Sequence, residues 1–321
     1  MRRWFNGSMV AAALAGAAVS AVISLSVSHT AGQGVRPART ANGQPNFNGV
    51  WQALNEANWD LQAHEARAGM VTQKGVYDYA YARVPAAPVL ALGAAAGVPG
   101  SLGVVEGDGQ IPYRPEAAAI KKENNENWID RDPELKCYLP GVPRAMYMPY
   151  PFAIVQGTDK IHMTYAFSNA GRVIHMNKVT GPPDDTYMGH SVGHWEKDTL
   201  VVDVSNFNGK NWFDRAGNFH SDALHLVERY SPISADAIRY EVTINDPKTF
   251  TRPWTIAMPL YRRLEPNATV IDYPCMEFSE EFMYGHLRKE QLVKRWEGET
   301  IIVNITRKIP PGERLHDWYR R

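Results

Sequence analysis

The run from Gly189 to Asp203 reads Gly-His-Ser-Val-Gly-His-Trp-Glu-Lys-Asp-Thr-Leu-Val-Val-Asp, and it constrains the fold more tightly than any other stretch of the chain. Its first five residues spell G-x-S-x-G, the pattern of a hydrolase nucleophile elbow, which needs a buried strand before the serine and a helix after it. Neither flank fits. Thr180-Gly181-Pro182-Pro183-Asp184-Asp185 is loop chemistry. After the polar Glu-Lys-Asp trio comes an apolar, β-branched run from Thr199 to Val204, which is strand and not helix. The stretch therefore predicts a β-hairpin, with Ser191 as a solvated or capping hydroxyl. The order Ser191, Asp203 or Asp214, His220 matches that of the hydrolases, so a serine esterase stands as the competing reading.

The same layout recurs. Arg295 to Asn304 repeats Trp-Glu-x-acid-Thr, three aliphatics, then Asn, and predicts a second hairpin. From Phe152 onward apolar residues alternate with polar ones: Ile161, Met163, Tyr165 and Phe167; Ile238, Tyr240, Val242 and Ile244; Trp254, Ile256, Met258 and Leu260; Ile301, Val303 and Ile305. Period two with one apolar face predicts antiparallel sheet, and many such runs joined by short turns predict a barrel or sandwich. Without alternating helices, a parallel α/β sheet is disfavoured.

The N-terminus reads as a targeting segment. Arg2 and Arg3 precede a small, apolar Met9–Val27 and a small-residue zone at Ala31-Gly32. This predicts a periplasmic or secreted protein. It has a signal peptide over 1–31 or, if the segment is uncleaved, a membrane anchor. With 34 basic and 34 acidic side chains and no Lys/Arg-rich run beyond Arg320-Arg321, nucleic acid is not an expected partner. Only Cys137 and Cys275 are present. Export predicts that they pair, for a gain of about 4–5 kcal/mol on the chain-entropy model, with two buried free thiols as the alternative.

The pieces predict four regions: the signal or anchor (1–31), an irregular and partly helical N-terminal region packed on the barrel (32–151), a barrel (152–308) and a tail (309–321). Within the second region, Gly49-Val50-Trp51 carries the G-x-W found at the first strand of lipocalin-type barrels. Asp60–Arg67 and Pro115–Trp128 look helical, the latter with Pro at its first turn. Val84–Gly109 reads as loop, and the proline-rich Pro140–Pro151 as a lid over a barrel mouth.

The hairpin motif, together with Trp212-Phe213-Asp214, His220 to His225, Glu228-Arg229, Asp246-Pro247 and Arg252-Pro253-Trp254, resembles a large, poorly characterised family of exported bacterial proteins. The resemblance covers roughly residues 113–263. It implies a mainly β fold with an antiparallel, lipocalin-like (calycin-type) barrel. Relatives commonly carry Tyr-Glu-Tyr where this chain has Tyr165-Ala166-Phe167, so a role for that glutamate would be lost or moved here.

Candidate chemistry rests on few residues. In a strand from Leu224 to Tyr230, Glu228 shares a face with Leu224, Leu226 and Tyr230. A carboxylate on an apolar face is either paired, with Arg172 the obvious partner, or protonated and available as a general acid or base. His220 lies in a connection flanked by Asp214 and Asp222, so an Asp214–His220 pair would suit an oriented base. His190, His194, His220 and His225 show no metal-ligand spacing, and neither a metal nor an organic cofactor is expected. Arg172, His190, Trp195, Trp212, Tyr165 and Trp254 are candidate ligand-binding residues for a small apolar or aromatic molecule. The expected function is the first of two, with the second as its alternative and the serine esterase as a further one. One is an exported barrel enzyme using Glu228, His220 and Asp214 for hydrolysis, elimination or isomerisation. The other is a non-catalytic carrier or envelope structural protein.

Overall fold

A computed structural model describes residues 38–68, 97–98, 100–177, 179–182, 184–275, 291–297 and 300–307. The fold is mainly β and centres on a closed barrel. Its strands are β1 (Gly49–Ala53), β2 (Phe152–Gln156), β3 (Lys160–Tyr165), β4 (Gly171–His175), β5 (His190–Glu196), β6 (Thr199–Ser205), β7 (His225–Ser234), β8 (Ala237–Asn245) and β9 (Trp254–Arg262). Going round the wall, each of β2 to β8 neighbours the next, and β1 closes the ring between β9 and β2. The expected alternation holds: Ile161, Met163, Tyr165, Leu226, Tyr230, Tyr240, Val242, Ile256 and Leu260 all point inward and are buried.

The barrel is mixed and not wholly antiparallel. Strands that alternate direction cannot close a ring of odd number, so a nine-stranded ring needs a parallel pair. That pair is β4 and β5, with Ile174 opposite Ser191 and His175 opposite Val192. A parallel pair also needs a long crossover, which residues 176–189 supply.

The leading hairpin forms as read. Trp195 pairs Leu200 and Glu196 pairs Thr199 around a Lys197-Asp198 turn, with Lys197 at φ 57, the left-handed conformation that tight hairpin turns use. Its repeat pairs in the same register, Trp296 with Ile301 and Glu297 with Thr300, in strands β10 (Gln291–Glu297) and β11 (Thr300–Arg307). That hairpin is a separate two-stranded sheet. The nine-strand ring has both edges of every strand paired, so the barrel ladder ends at Arg262 and not at 308. The strand that closes it comes instead from the N-terminal region. There Arg262 lies over the Trp51 ring at 4.2 Å and donates to the Asn48 carbonyl. Trp51 Nε1 donates to Phe47 at 2.8 Å. Gly49, at φ +134, leaves the guanidinium its place, since a Cβ would sit 2.4 Å from Arg262 Nη1.

The two barrel ends differ. At one, tight turns at 157–159, 197–198 and 235–236 join the strands. At the other, where Phe152, His225 and Trp254 lie, the described residues of long connections (54–151, 206–224 and 246–253) fold over the mouth. The first of these contains α1 (Pro115–Glu126) and α2 (Trp128–Arg131). The helix expected over Asp60–Arg67 does not form. His64 N donates to Ser101 O at 2.9 Å and Leu61 O accepts from Val104 N at 2.8 Å, so the 101–104 segment takes the donor and acceptor that an i→i−4 ladder through this stretch would use. Arg67-Ala68 instead pairs Gly97-Val98. The lid expectation is met: Arg144 to Met148 are all buried. Cys137 and Cys275 form the disulfide, which ties the cap to a strap where Tyr273 stacks on Tyr150 at 4.5 Å and bridges to Phe167. A disulfide fits a non-reducing compartment. Among the described residues no helix is long and apolar enough to cross a membrane. The expected signal or anchor segment, the expected tail and the side chains of β10 and β11 lie outside the described residues.

Candidate functional site

Alternation turns three polar side chains into the barrel: Arg172 from β4, Ser191 from β5 and Glu228 from β7, at 4, 1 and 0 % exposure. Charges so deep must neutralise one another, and they do. Arg172 donates through Nη1 to Glu228 Oε1 at 3.1 Å and through Nη2 to Oε2, a two-pronged pair. Its Nε donates to Ser191 Oγ at 2.8 Å. Tyr230 and Tyr240 both donate to Glu228 Oε1, at 2.9 and 2.7 Å. Burial works against the guanidinium charge, but Glu228 outweighs it and holds Arg172 firmly protonated. Burial and the nearby carboxylate push both tyrosines well above their usual range, so they remain donors. Burial also pushes Tyr165 up to about 12, and its hydroxyl lies 3.3 Å from the sulfurs of both Met146 and Met163.

Of the two outcomes the sequence left open for Glu228, the structure contains the pair with Arg172. Both carboxylate oxygens are engaged by four donors, whereas a general base needs an open lone pair facing substrate. Ser191 lies within β5, one residue from its start, and is bonded to an arginine and not to a histidine. The nucleophile elbow is therefore absent.

Sequence reasoning missed a second buried charge cluster, in the cap. Arg144 meets Asp132 through two bonds of 2.8 and 3.0 Å, reaches Glu134, and donates through Nε to Asn58 Oδ1 at 2.9 Å. Arg215 grips the other side of Glu134 at 2.9 and 3.0 Å and covers Trp59 at 4.7 Å. Burial opposes the Glu134 charge, but Arg215 and Arg144 prevail and lower it to about 2. Asp132, with less help, is raised by burial. The one available signal was an Asp-Pro-Glu within a tryptophan- and leucine-bearing stretch, with arginines distant in sequence. The cluster fixes the lid, because Arg144 and Met146 belong to one 3-10 turn. Through that turn the Met146 sulfur is held against Tyr165 and within 3.8 Å of the Tyr230 hydroxyl.

The expected catalytic trio does not converge. His220 donates through Nδ1 to Ser221 O, 2.8 Å away, and packs between Phe207 and Phe213. Burial lowers its pKa, favouring neutral imidazole. Asp214 accepts from Leu61 N, Asn218 N and Asn218 Nδ2 at 2.9, 3.1 and 2.6 Å, joining two cap connections. Burial, then Asp60, raises it to about 7. Asp246 holds Ser221 and Thr249.

The six candidate ligand-binding residues scatter. Arg172 and Tyr165 belong to the barrel core, and Trp195 packs on Phe47 at the tight-turn end. Trp212 belongs to a small cap cluster with Trp128 and Leu135, and His190 lies on the outer wall. Trp254 caps the mouth between Phe213 and Phe250. Its Nε1 is buried without a hydrogen-bond partner, as is Asn211 Oδ1. Among the described residues no group of three or more His, Cys, Asp or Glu is arranged to hold a metal ion. No family model, curated protein or solved structure matches the chain.

Proposed function

We propose that this chain is an exported protein of the cell envelope, periplasmic or secreted, whose barrel is a structural scaffold and not a reaction vessel. The observation that carries this reading is the occupied interior. Glu228 is fully buried and held by four donors from Arg172, Tyr230 and Tyr240, and Met146, on a cap fixed by its own buried ion cluster, packs above them. The disulfide and the charged-then-apolar N-terminal sequence support export, as does the resemblance to exported bacterial proteins. Such a protein acts through its surface, as a binding or structural component. Native mass spectrometry of the protein released by osmotic shock tests this. The reading expects the mass of the oxidised chain alone. A small molecule present in stoichiometric amount would displace it.

One observation favours a second reading, a carrier or enzyme for a small aromatic molecule. Trp254 Nε1 and Asn211 Oδ1 are a donor and an acceptor left without partners at the capped end, and a polar ligand group would satisfy either. This reading expects a co-purifying molecule that Trp254→Phe releases.

A further inference from the structure

The parallel seam of the barrel brings two histidines together on its outer wall. His175 ends β4 and His190 begins β5. Both side chains face outward, since their strand neighbours Ile174 and Ser191 are buried inward. The ring centroids lie 5.4 Å apart, with planes 32° from parallel. Two imidazoles bound to one tetrahedral zinc ion, at roughly 2.0–2.1 Å per Zn–N bond, place their centroids about 5.2 Å apart. The seam thus holds the rings at nearly that spacing before any ion arrives.

The outer atoms fit as well. His190 Nε2 lies 3.3 Å from the Val179 carbonyl oxygen. Donating there puts the ring proton on Nε2 and leaves the Nδ1 lone pair free. A metal-binding histidine is oriented in this way, with one nitrogen on a backbone carbonyl and the other on the ion. The crossover also backs the ring, as a Cβ on Gly181 would lie 3.5 Å from His190 Cδ2.

We propose that His175 and His190 form a two-imidazole site for a divalent transition ion of zinc type, separate from the barrel interior. Two protein ligands leave the remaining positions to water or to a donor from another molecule, which suits a surface through which the protein engages a partner. Lys160 lies opposite His175 in the ladder and opposes cation binding, so the affinity rests on the two coordinate bonds. Neither the spacing nor the carbonyl contact depends on the scaffold reading above.

Isothermal titration of the full, oxidised chain with Zn(II) at neutral pH tests the site. One ion per chain is expected, and His175→Ala and His190→Ala should each weaken binding by at least about tenfold. His194→Ala, further along the same wall, should leave binding unchanged. All three substitutions are at partly or fully exposed positions, and unchanged melting curves confirm intact folding. The proposal is overturned if the parent chain binds no zinc, or if either the His175 or the His190 variant binds as tightly as the parent.

Discussion

Replacing Glu228 with glutamine changes one oxygen to an amino group, yet the structure predicts a large effect. The side chain is fully buried, and its carboxylate is the counter-charge of Arg172 and the acceptor for Tyr230 and Tyr240. Glutamine keeps one acceptor oxygen and turns an N–H group toward a guanidinium that has only donors. Arg172 cannot shed its proton, so a positive charge is left buried without a partner. Breaking a buried pair in this way costs about 3–5 kcal/mol. For a folded unit of this size each kcal/mol moves the melting temperature by roughly 2–4 °C, so Glu228→Gln should melt about 6–20 °C below the parent. The assay is a thermal melt followed by circular dichroism, with urea unfolding at 25 °C as the second measure. Arg172→Met combined with Glu228→Leu removes both charges. It should cost clearly less than the sum of the single changes, by a coupling of at least about 2 kcal/mol. If Glu228→Gln melts within about 2 °C of the parent, the carboxylate is not the partner on which Arg172 depends, and the argument for a self-neutralised core fails.

Further consequences can be measured separately. Under denaturing, non-reducing conditions no thiol should titrate, and two should appear after reduction. Closing a loop of 138 residues contributes about 5 kcal/mol on the chain-entropy model, so reduction should lower the urea midpoint sharply, and an unchanged midpoint would contradict this. Asp214, raised to about 7 by burial and Asp60, binds its proton more tightly folded than unfolded. Its contribution is therefore complete at about pH 4 and is lost as pH rises towards 7, by on the order of 4 kcal/mol. Asp214→Asn should flatten the stability profile between those limits, and an identical slope in the variant would refute the assignment. Gly49→Ala, which forces a Cβ against the Arg262 guanidinium at a φ of +134, should destabilise by about 1–3 kcal/mol. A neutral result would show that the Arg262–Trp51 stack does not depend on glycine.

The legibility of this chain followed the range of its interactions. Period-two alternation exposed β3, β7, β8 and β9, because a side chain two positions away shares a face whatever the rest of the chain does. The His194–Asp203 hairpin was legible because turn and strands are contiguous. The Glu228–Arg172 pairing was legible as an alternative because both residues lie on apolar faces, although nothing in the sequence chose between pair and free acid. Other features arise from long-range geometry. The parallel β4–β5 seam is a consequence of closing an odd ring, and the placement of Gly49–Ala53 in that ring depends on partners beyond residue 150. The Arg144 cluster joins Asn58, Asp132, Glu134 and Arg215, which share no local period. The absent helix at Asp60–Arg67 shows backbone pairing with the distant 101–104 segment outcompeting local propensity. The zinc-spaced His175–His190 pair was hidden for the same reason, since it exists only across the parallel seam.

What fills the barrel between Met146 and Glu228 decides whether the interior is a scaffold core or a ligand site. A crystal structure at atomic resolution would answer that directly. The expected density has the Arg172 guanidinium bonded to the Glu228 carboxylate, both tyrosine hydroxyls on the same oxygen, and the Met146 sulfur closing the space above Tyr165. A water-filled chamber, or a bound molecule separating Arg172 from Glu228, would contradict the scaffold reading and make the interior a ligand site.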